Sequence, residues 1–276
     1  MYDGRNIFTN KIKSEHMAES PLIHIGEENG IYTLTITRPE ALNALNRQVF
    51  NELEAFFSTY NGDFQVKGVI ITGAGNKAFV AGADIKEFAA MDAVAGSALS
   101  KRGQDIFFMI ERFHAPVVAA VNGFALGGGC ELAMSCHIRV AGNNAKFGQP
   151  EVNLGLVPGY GGSQRLVQLV GKGKAIEMLL TADMINAEEA LRLGLVTHVT
   201  ESGEEVTKAK EILSKISTKG PLAVKQSIAL INAYFDKKTD GFESEYMDFG
   251  LTIGSEDSKE GAAAFVEKRK AVFKAK

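Results

Sequence analysis

Cysteine is nearly missing from this 276-residue chain. Cys130 and Cys136 are the only two, five residues stand between them, and no second pair exists to complete a disulfide framework or a zinc cage. That scarcity fits a reducing cytoplasm. No apolar run approaches the roughly 20 residues a bilayer span requires, so no membrane partner is expected. Neither charge dominates: 30 Lys and Arg stand against 33 Asp and Glu, a net of −3, which builds in no general attraction to nucleic acid or anionic lipid. Any anion has to be met by local groups. The five histidines, His16, His24, His114, His137 and His198, are scattered singly, so no metal site is expected. No G-x-S-x-G elbow, G-x-x-x-x-G-K-[ST] loop or H-E-x-x-H helix occurs, which removes the commonest hydrolase, phosphate-loop and zincin readings. Residues 1–20 lack the apolar stretch of a secretory signal, and their acids and scarce arginine exclude an organellar transit peptide. They read as a loose extension, with Met17 as an alternative start.

Glycine is abundant instead, 29 of 276 residues, against a usual share of about 7%. From Leu22 onward short β-rich runs at Leu22–Ile25, Ile31–Thr37, Gly68–Thr72, Pro116–Val121 and His137–Ala141 alternate with helical patterns, an α/β rhythm. Val49, Phe50, Leu53, Phe56, Phe57 and Tyr60 repeat at three-four spacing, predicting a helix capped by Asn46. A second helix is predicted over Ala98–Phe113. After Gly161 the helical period dominates, apart from a β-rich run at Leu195–Val199. The predicted helices are Ser163–Val170, Lys174–Leu180, Ala187–Leu193, Glu204–Ile216, Leu222–Phe235, Phe242–Ile253 and Ser255–Phe273. Ile228, Leu230, Ile231, Tyr234 and Phe235 crowd together there, too apolar for a monomer's surface, and predict self-association.

Three glycine-rich passages could carry chemistry. Gly127-Gly128-Gly129 follows the run Pro116–Val121 and opens a helix, where bare N–H groups and the helix dipole favour an anion; a triplet alone also reads as a tight turn with close packing. Glu131 falls in that helix's first turn, beside Leu132, Ala133 and Met134. Gly82-Ala83-Asp84 likewise leads from a β-like run toward a helical one and could supply a second N–H, two such donors making an oxyanion hole. Glu151 lies in a Pro- and Gly-bracketed loop among Val152, Leu154, Leu156 and Val157, a setting that raises a carboxyl's pKa as a general acid requires. The competing reading is a surface glutamate paired with Arg165. Gly73 and Gly75 imitate a dinucleotide fingerprint, but Ala78–Ala81 continues as extended chain where a helix should open.

Four strings, KAFVAGADIKEF (77–88), APVVAAVNGFALGGGCELAMSC (115–136), KFGQPEVNLGLVPGYGGSQRL (146–166) and AFVEKRKAVF (264–273), resemble the crotonase superfamily and its enoyl-CoA hydratase branch, over Pro21 to the C-terminus. The resemblance implies an α/β fold, a spiral of repeated ββα units spanning 21–213, followed by a helical region over 214–276 that builds trimers, usually paired as hexamers. It implies that the N–H groups of Ala83 and Gly128 form the oxyanion hole and that Glu131 and Glu151, twenty residues apart, are the catalytic pair. Ala83, Asp84, Ile85 and Lys86, with Lys268, match the CoA-contacting positions. The implied reaction is reversible syn hydration of a trans-2-enoyl-CoA, of the fatty acid β-oxidation type, with CoA as part of the substrate and no separate cofactor. Two departures stand out: His137 where relatives carry aspartate, which puts an ion pair behind the site in doubt, and Ser163 where threonine is usual. The alternatives are an enoyl-CoA isomerase, thioesterase or decarboxylase of the same superfamily, most of which lack one glutamate, an RNA-binding relative of the fold, and a dinucleotide oxidoreductase.

Overall fold

The computed structural model describes residues 20–87, 91–236 and 238–276; the expected extension, apart from Ser20, lies outside them. Strands β1 (Ile23–Glu28) and β2 (Ile31–Ile36) pair antiparallel and lead through a short turn to helix α1 (Arg47–Tyr60). Asn46 caps α1 as predicted, its Oδ1 accepting the Val49 N–H at 2.9 Å, and the six predicted apolar residues form its buried stripe.

The two-strand, one-helix unit then recurs. β3 (Gly68–Gly73) and β4 (Ala78–Ala81) precede α2 (Ala93–Glu111); β5 (Val117–Val121) and β6 (Phe124–Leu126) precede α3 (Gly128–Ser135); β7 (Ile138–Gly142) and β8 (Lys146–Gly148) precede α4 (Gly162–Val170). The chain continues through α5 (Lys172–Thr181), β9 (Ile185–Asn186), α6 (Ala187–Arg192), β10 (His198–Thr200) and α7 (Glu205–Ile216), and ends with α8 (Pro221–Ala233), α9 (Gly241–Ile253) and α10 (Glu256–Val266). β1 and β2 both join the first sheet, β1-β2-β3-β5-β7-β10, to which each later unit adds its first strand, while the second strands from β4 on form another, β4-β6-β8-β9. Pairing is parallel except β1 with β2 and β8 with β9. The result is the expected ββα spiral.

Burial explains why β3 reads as an unbroken apolar run. Val69 and Ile71 face the main core shared with Phe79, Phe107 and Phe147, while Ile70 faces a second core with Val118, Val140, Ala209 and Leu213. Leu213 lies on α7, so residue 213, the expected end of the core domain, falls within a helix that packs on the sheet.

Two helices differ from their predicted spans. α2 begins at Ala93 rather than Ala98 because Asp92 caps it, accepting the Ala95 N–H at 2.8 Å. The final predicted helix, Ser255–Phe273, stops at Val266. Two acids of α10 draw the tail back: Asp257 accepts the N–H groups of Lys274 and Ala275 at 2.6 and 2.9 Å, and Glu260 accepts Arg269 and the Val272 N–H. A helical period cannot reveal such a reversal, because the tail's partners lie 9 to 18 residues upstream. Of the crowded apolar residues, Ile231, Tyr234 and Phe235 lie outward while Ile228 and Leu230 are half-buried, and on α9 Phe242, Tyr246 and Phe249 are exposed as well, at 87, 65 and 65%. Among the described residues no helix is long and apolar enough to cross a membrane.

Candidate active site

The second sheet positions the site. At the end of β4 the chain passes Leu45, and three bonds tie the two segments: Ala81 N–H to Leu42 C=O at 3.0 Å, Leu45 N–H to Gly82 C=O at 2.9 Å and Asp84 N–H to Leu45 C=O at 2.8 Å. Strand geometry turns the intervening Ala83 N–H the other way, toward the side where β6 pairs with β4. There β6 ends and α3 begins. The Gly127 N–H is taken by Gly148 C=O at 2.9 Å, and the first helical bond runs from Glu131 N–H to Gly127 C=O. The Gly128 N–H is one of the donors a helix leaves unpaired at its N-terminus. Among the described residues neither the Ala83 nor the Gly128 N–H meets an acceptor.

Both expected carboxylates come to this place. Gly127 has φ +49°, and a Cβ there would lie 2.7 Å from Oε1 of Glu151, so the glycine permits both the turn and the close approach of the carboxylate. Gly129, in contrast, is a packing glycine, since a Cβ on it would fall 1.9 Å from the Val80 carbonyl oxygen.

Glu131 is buried, but its carboxylate does not rest on the amides of its own helix. Oε1 accepts the N–H of Tyr160 at 2.8 Å and of Gly162 at 2.7 Å, donors presented by the Gly-rich turn that opens α4. Burial drives its pKa up to about 7, with the neighbouring Glu151 charge adding to the rise and the two amides opposing it. Glu151 opens a single 3-10 turn, Glu151–Leu154, rather than lying in a loop. Its pKa is raised by burial, yet the apolar neighbours expected to cause this point elsewhere: Val152, Leu154, Leu156 and Val157 are all exposed. The carboxylate is enclosed instead by Gly127 and by Gln149, whose amide, oriented to donate, reaches Oε1 and Oε2 at 3.0 and 3.1 Å.

Arg165 does not pair with Glu151. Its guanidinium bonds Oε2 of Glu111 at 2.7 Å through Nη2 and the Tyr160 carbonyl at 2.9 Å through Nη1. It thereby braces the turn whose N–H groups hold Glu131. His137, where relatives carry aspartate, is an uncharged ring with its pKa lowered to about 4 by burial; Nδ1 accepts the Val117 N–H and the opposite nitrogen meets the Glu111 carbonyl. His137 thus offers no charge here, and the ion pair behind the site is that of Arg165 with Glu111.

Asp84 is engaged by Arg38 at 2.9 Å and by the Lys86 N–H rather than capping a long helix; only a 3-10 turn, Ile85–Glu87, follows. Ile85 and Lys86 are exposed beside it. Lys268 is exposed on the folded-back tail at φ +54° and shares no side-chain hydrogen bond with the described residues of the site. Gly73, the first glycine of the apparent dinucleotide fingerprint, ends β3, and the chain runs on into β4, so no helix N-terminus follows it. Sequence reasoning missed Gln149, Tyr160, Gly162 and the Glu111–Arg165 pair. The string Pro158–Gly162 before a helix was the available signal, a second glycine-rich N-terminus facing the first.

A sequence model of the family described as Enoyl-CoA hydratase/isomerase matches residues 26–276. The short-chain-enoyl-CoA hydratase of Clostridium acetobutylicum is 49% identical over 247 residues, 88% of this chain and 94% of that one. The crotonyl-CoA hydratase of Syntrophomonas wolfei is 48% identical over 252 residues, 91% and 97% of the two chains. Among solved structures, the enoyl-CoA hydratase from Bacillus anthracis superposes with a TM-score of 0.87 at 35% identity, covering 92% of this chain and all of that one. The chain belongs to the enoyl-CoA hydratase/isomerase family.

Proposed function

We propose that the protein catalyses the reversible syn addition of water to a trans-2-enoyl-CoA, giving a 3-hydroxyacyl-CoA. The observation that carries this reading is the meeting of two carboxyls with raised pKa, the buried Glu131 and the half-buried Glu151, beside two amides that meet no acceptor among the described residues, those of Ala83 and Gly128. A thioester oxygen that accepts both N–H groups gains stabilisation as it turns enolate-like, because the donors are fixed before charge develops. Glu131, held as a carboxylate by two N–H donors, orients water and takes its proton while the oxygen bonds to C3. Glu151, whose carboxyl burial pushes above the ordinary range, gives its proton to C2. The two roles interchange in the dehydration direction, and raised pKa values suit groups that must serve both. The acyl-CoA brings CoA as its own handle, so the chemistry calls for no separate cofactor and no metal.

The turn after Ala83, from Asp84 to Lys86, with Ile85 and Lys86 exposed, suits the CoA end of the substrate, and the exposed Lys268 is the further candidate to meet a CoA phosphate. The outward apolar faces of α9 and α10 support assembly into trimers or paired trimers, closed symmetry being the usual way to bury such faces. The buried, unpaired thiols of Cys130 and Cys136 fit a cytoplasmic setting. The deciding assay follows loss of the conjugated thioester when crotonyl-CoA is added. Rapid hydration that Glu131→Gln and Glu151→Gln each reduce by about 10²–10⁴-fold supports the reading. Double-bond migration or CoA release without water addition overturns it.

A further inference from the structure

The ring of Tyr160 stands edge-on between two helices, one of which omits a side chain to admit it. A Cβ on Gly103 of α2 would lie 2.2 Å from Cδ1 and 2.4 Å from Cε1 of the ring, and a Cβ on Gly128 of α3 would lie 3.4 Å from Cδ2 and Cε2. Glycine inside a helix is unfavourable relative to alanine, and at Gly103 it clears volume that the ring occupies, whereas at Gly128 a methyl group would make ordinary contact with the ring. Phe50 of α1 and Phe107 of α2 pack on the same ring with centroids at 5.1 and 5.7 Å, and Leu45 reaches the Gly128 edge. The same residue's N–H holds Glu131. Tyr160 therefore lies between the reacting groups and an apolar space walled by α1 and α2.

We propose that Tyr160 is a specificity-determining residue whose ring ends the acyl pocket and restricts the enzyme to short enoyl-CoA chains, with Gly103 as its seat; this rests on the hydratase reading above. A thioester carbonyl on the Ala83 and Gly128 amides places C2 and C3 against Glu151 and Glu131. Carbons beyond C3 then run past Glu131 toward α2. The Tyr160 ring, whose own N–H holds Glu131 and whose edge abuts Gly103 of α2, stands on that side. Short tails end before it, whereas longer ones must displace a buried ring wedged against a helix backbone. Behind the ring, Phe50, Phe107, Leu45 and the bare Gly103 offer apolar lining that an alkyl chain would use if the ring were absent.

The test compares kcat/KM for crotonyl-, hexenoyl-, octenoyl- and decenoyl-CoA in the full-length wild-type protein and in Tyr160→Ala, Tyr160→Leu and Tyr160→Phe. Wild type is expected to fall off with each added pair of carbons. In Tyr160→Ala the ratio of octenoyl- to crotonyl-CoA should rise by at least about tenfold, since each methylene that gains apolar room contributes severalfold. Tyr160→Leu should shift the ratio the same way by less, and serves if the alanine variant does not fold. Tyr160→Phe should keep the wild-type length profile, which assigns the effect to the ring rather than the hydroxyl. A flat wild-type profile overturns the proposal, as does a profile unchanged in both Tyr160→Ala and Tyr160→Leu. Failure of the hydratase reading looks different: wild type then hydrates no chain length at all.

Discussion

Adding one methyl group at Gly162 isolates the hold on Glu131. The glycine has ordinary helical backbone at the start of α4, so alanine fits its conformation, but the new Cβ would sit 2.9 Å from Oε1 of Glu131 and 3.0 Å from both amide atoms of Gln149. Ordinary contact begins near 3.4 Å, so the carboxylate or the amide must retreat by about half an ångström. Glu131 cannot retreat without stretching the 2.7 Å bond from the Gly162 N–H, and Gln149 cannot without loosening Glu151. A hydrogen bond to a charged group is worth about 1.5–3 kcal/mol, which converts to about ten- to a hundredfold in kcat for Gly162→Ala. The thermal midpoint should move little, because alanine's better helix propensity, up to about 1 kcal/mol, offsets part of the strain. Losing a donor also raises the pKa of Glu131, so the acid limb of the kcat profile should shift upward. Gly159→Ala is the control in the same turn: its Cβ would meet Ser100 Oγ only at 3.7 Å. The measurement is kcat against pH with crotonyl-CoA, alongside thermal melts. Turnover in Gly162→Ala within about threefold of wild type, with an unmoved acid limb, would refute the assignment of the α4 turn as the clamp of Glu131.

Other outcomes follow from the same geometry. The Glu131→Gln, Glu151→Gln double variant should lose little more than the worse single variant, since both groups serve one transition state; additive losses in kcat argue against a shared step. Glu131 also carries a stability signature: its folded pKa of about 7 exceeds the ordinary carboxylate value, so the fold loses stability as pH rises from about 4.5 through 7. Glu131→Gln should therefore match or exceed wild type in Tm at pH 8, by up to about 3 kcal/mol in unfolding free energy, with the difference shrinking toward pH 5 in denaturant titrations. Arg165→Met strands the Glu111 carboxylate and releases the Tyr160 carbonyl; it should cost about 3 kcal/mol in stability, and Glu111→Gln should restore part of that while turnover stays low. Light scattering at micromolar protein should give a mass that is a multiple of three chains, and Phe249→Asp with Tyr246→Asp on the exposed face of α9 should lower it.

The α/β rhythm and the two candidate glutamates were legible because they rest on local physics, whereas the ββα repeat followed from the resemblance of the four strings. Strand runs such as Val69–Ile71 are apolar on both faces, the α1 stripe follows the helical period, and glycine triplets before a helix announce bare amides wherever they occur. Tertiary structure alone decided what those groups touch. Glu131 is held by Tyr160 and Gly162, 29 and 31 residues downstream, and Gln149 rather than the neighbouring apolar residues encloses Glu151. Arg165 turns to Glu111, 54 residues upstream, because the spiral lays the end of α2 against the start of α4. The reversal after Val266 depends on acids at Asp257 and Glu260 meeting chain that has no period of its own. A residue's type and local spacing fix what chemistry it can offer; its partner, and with it the pKa and the direction of a carboxylate, is a long-range contact that exists only once the helices and both sheets have packed.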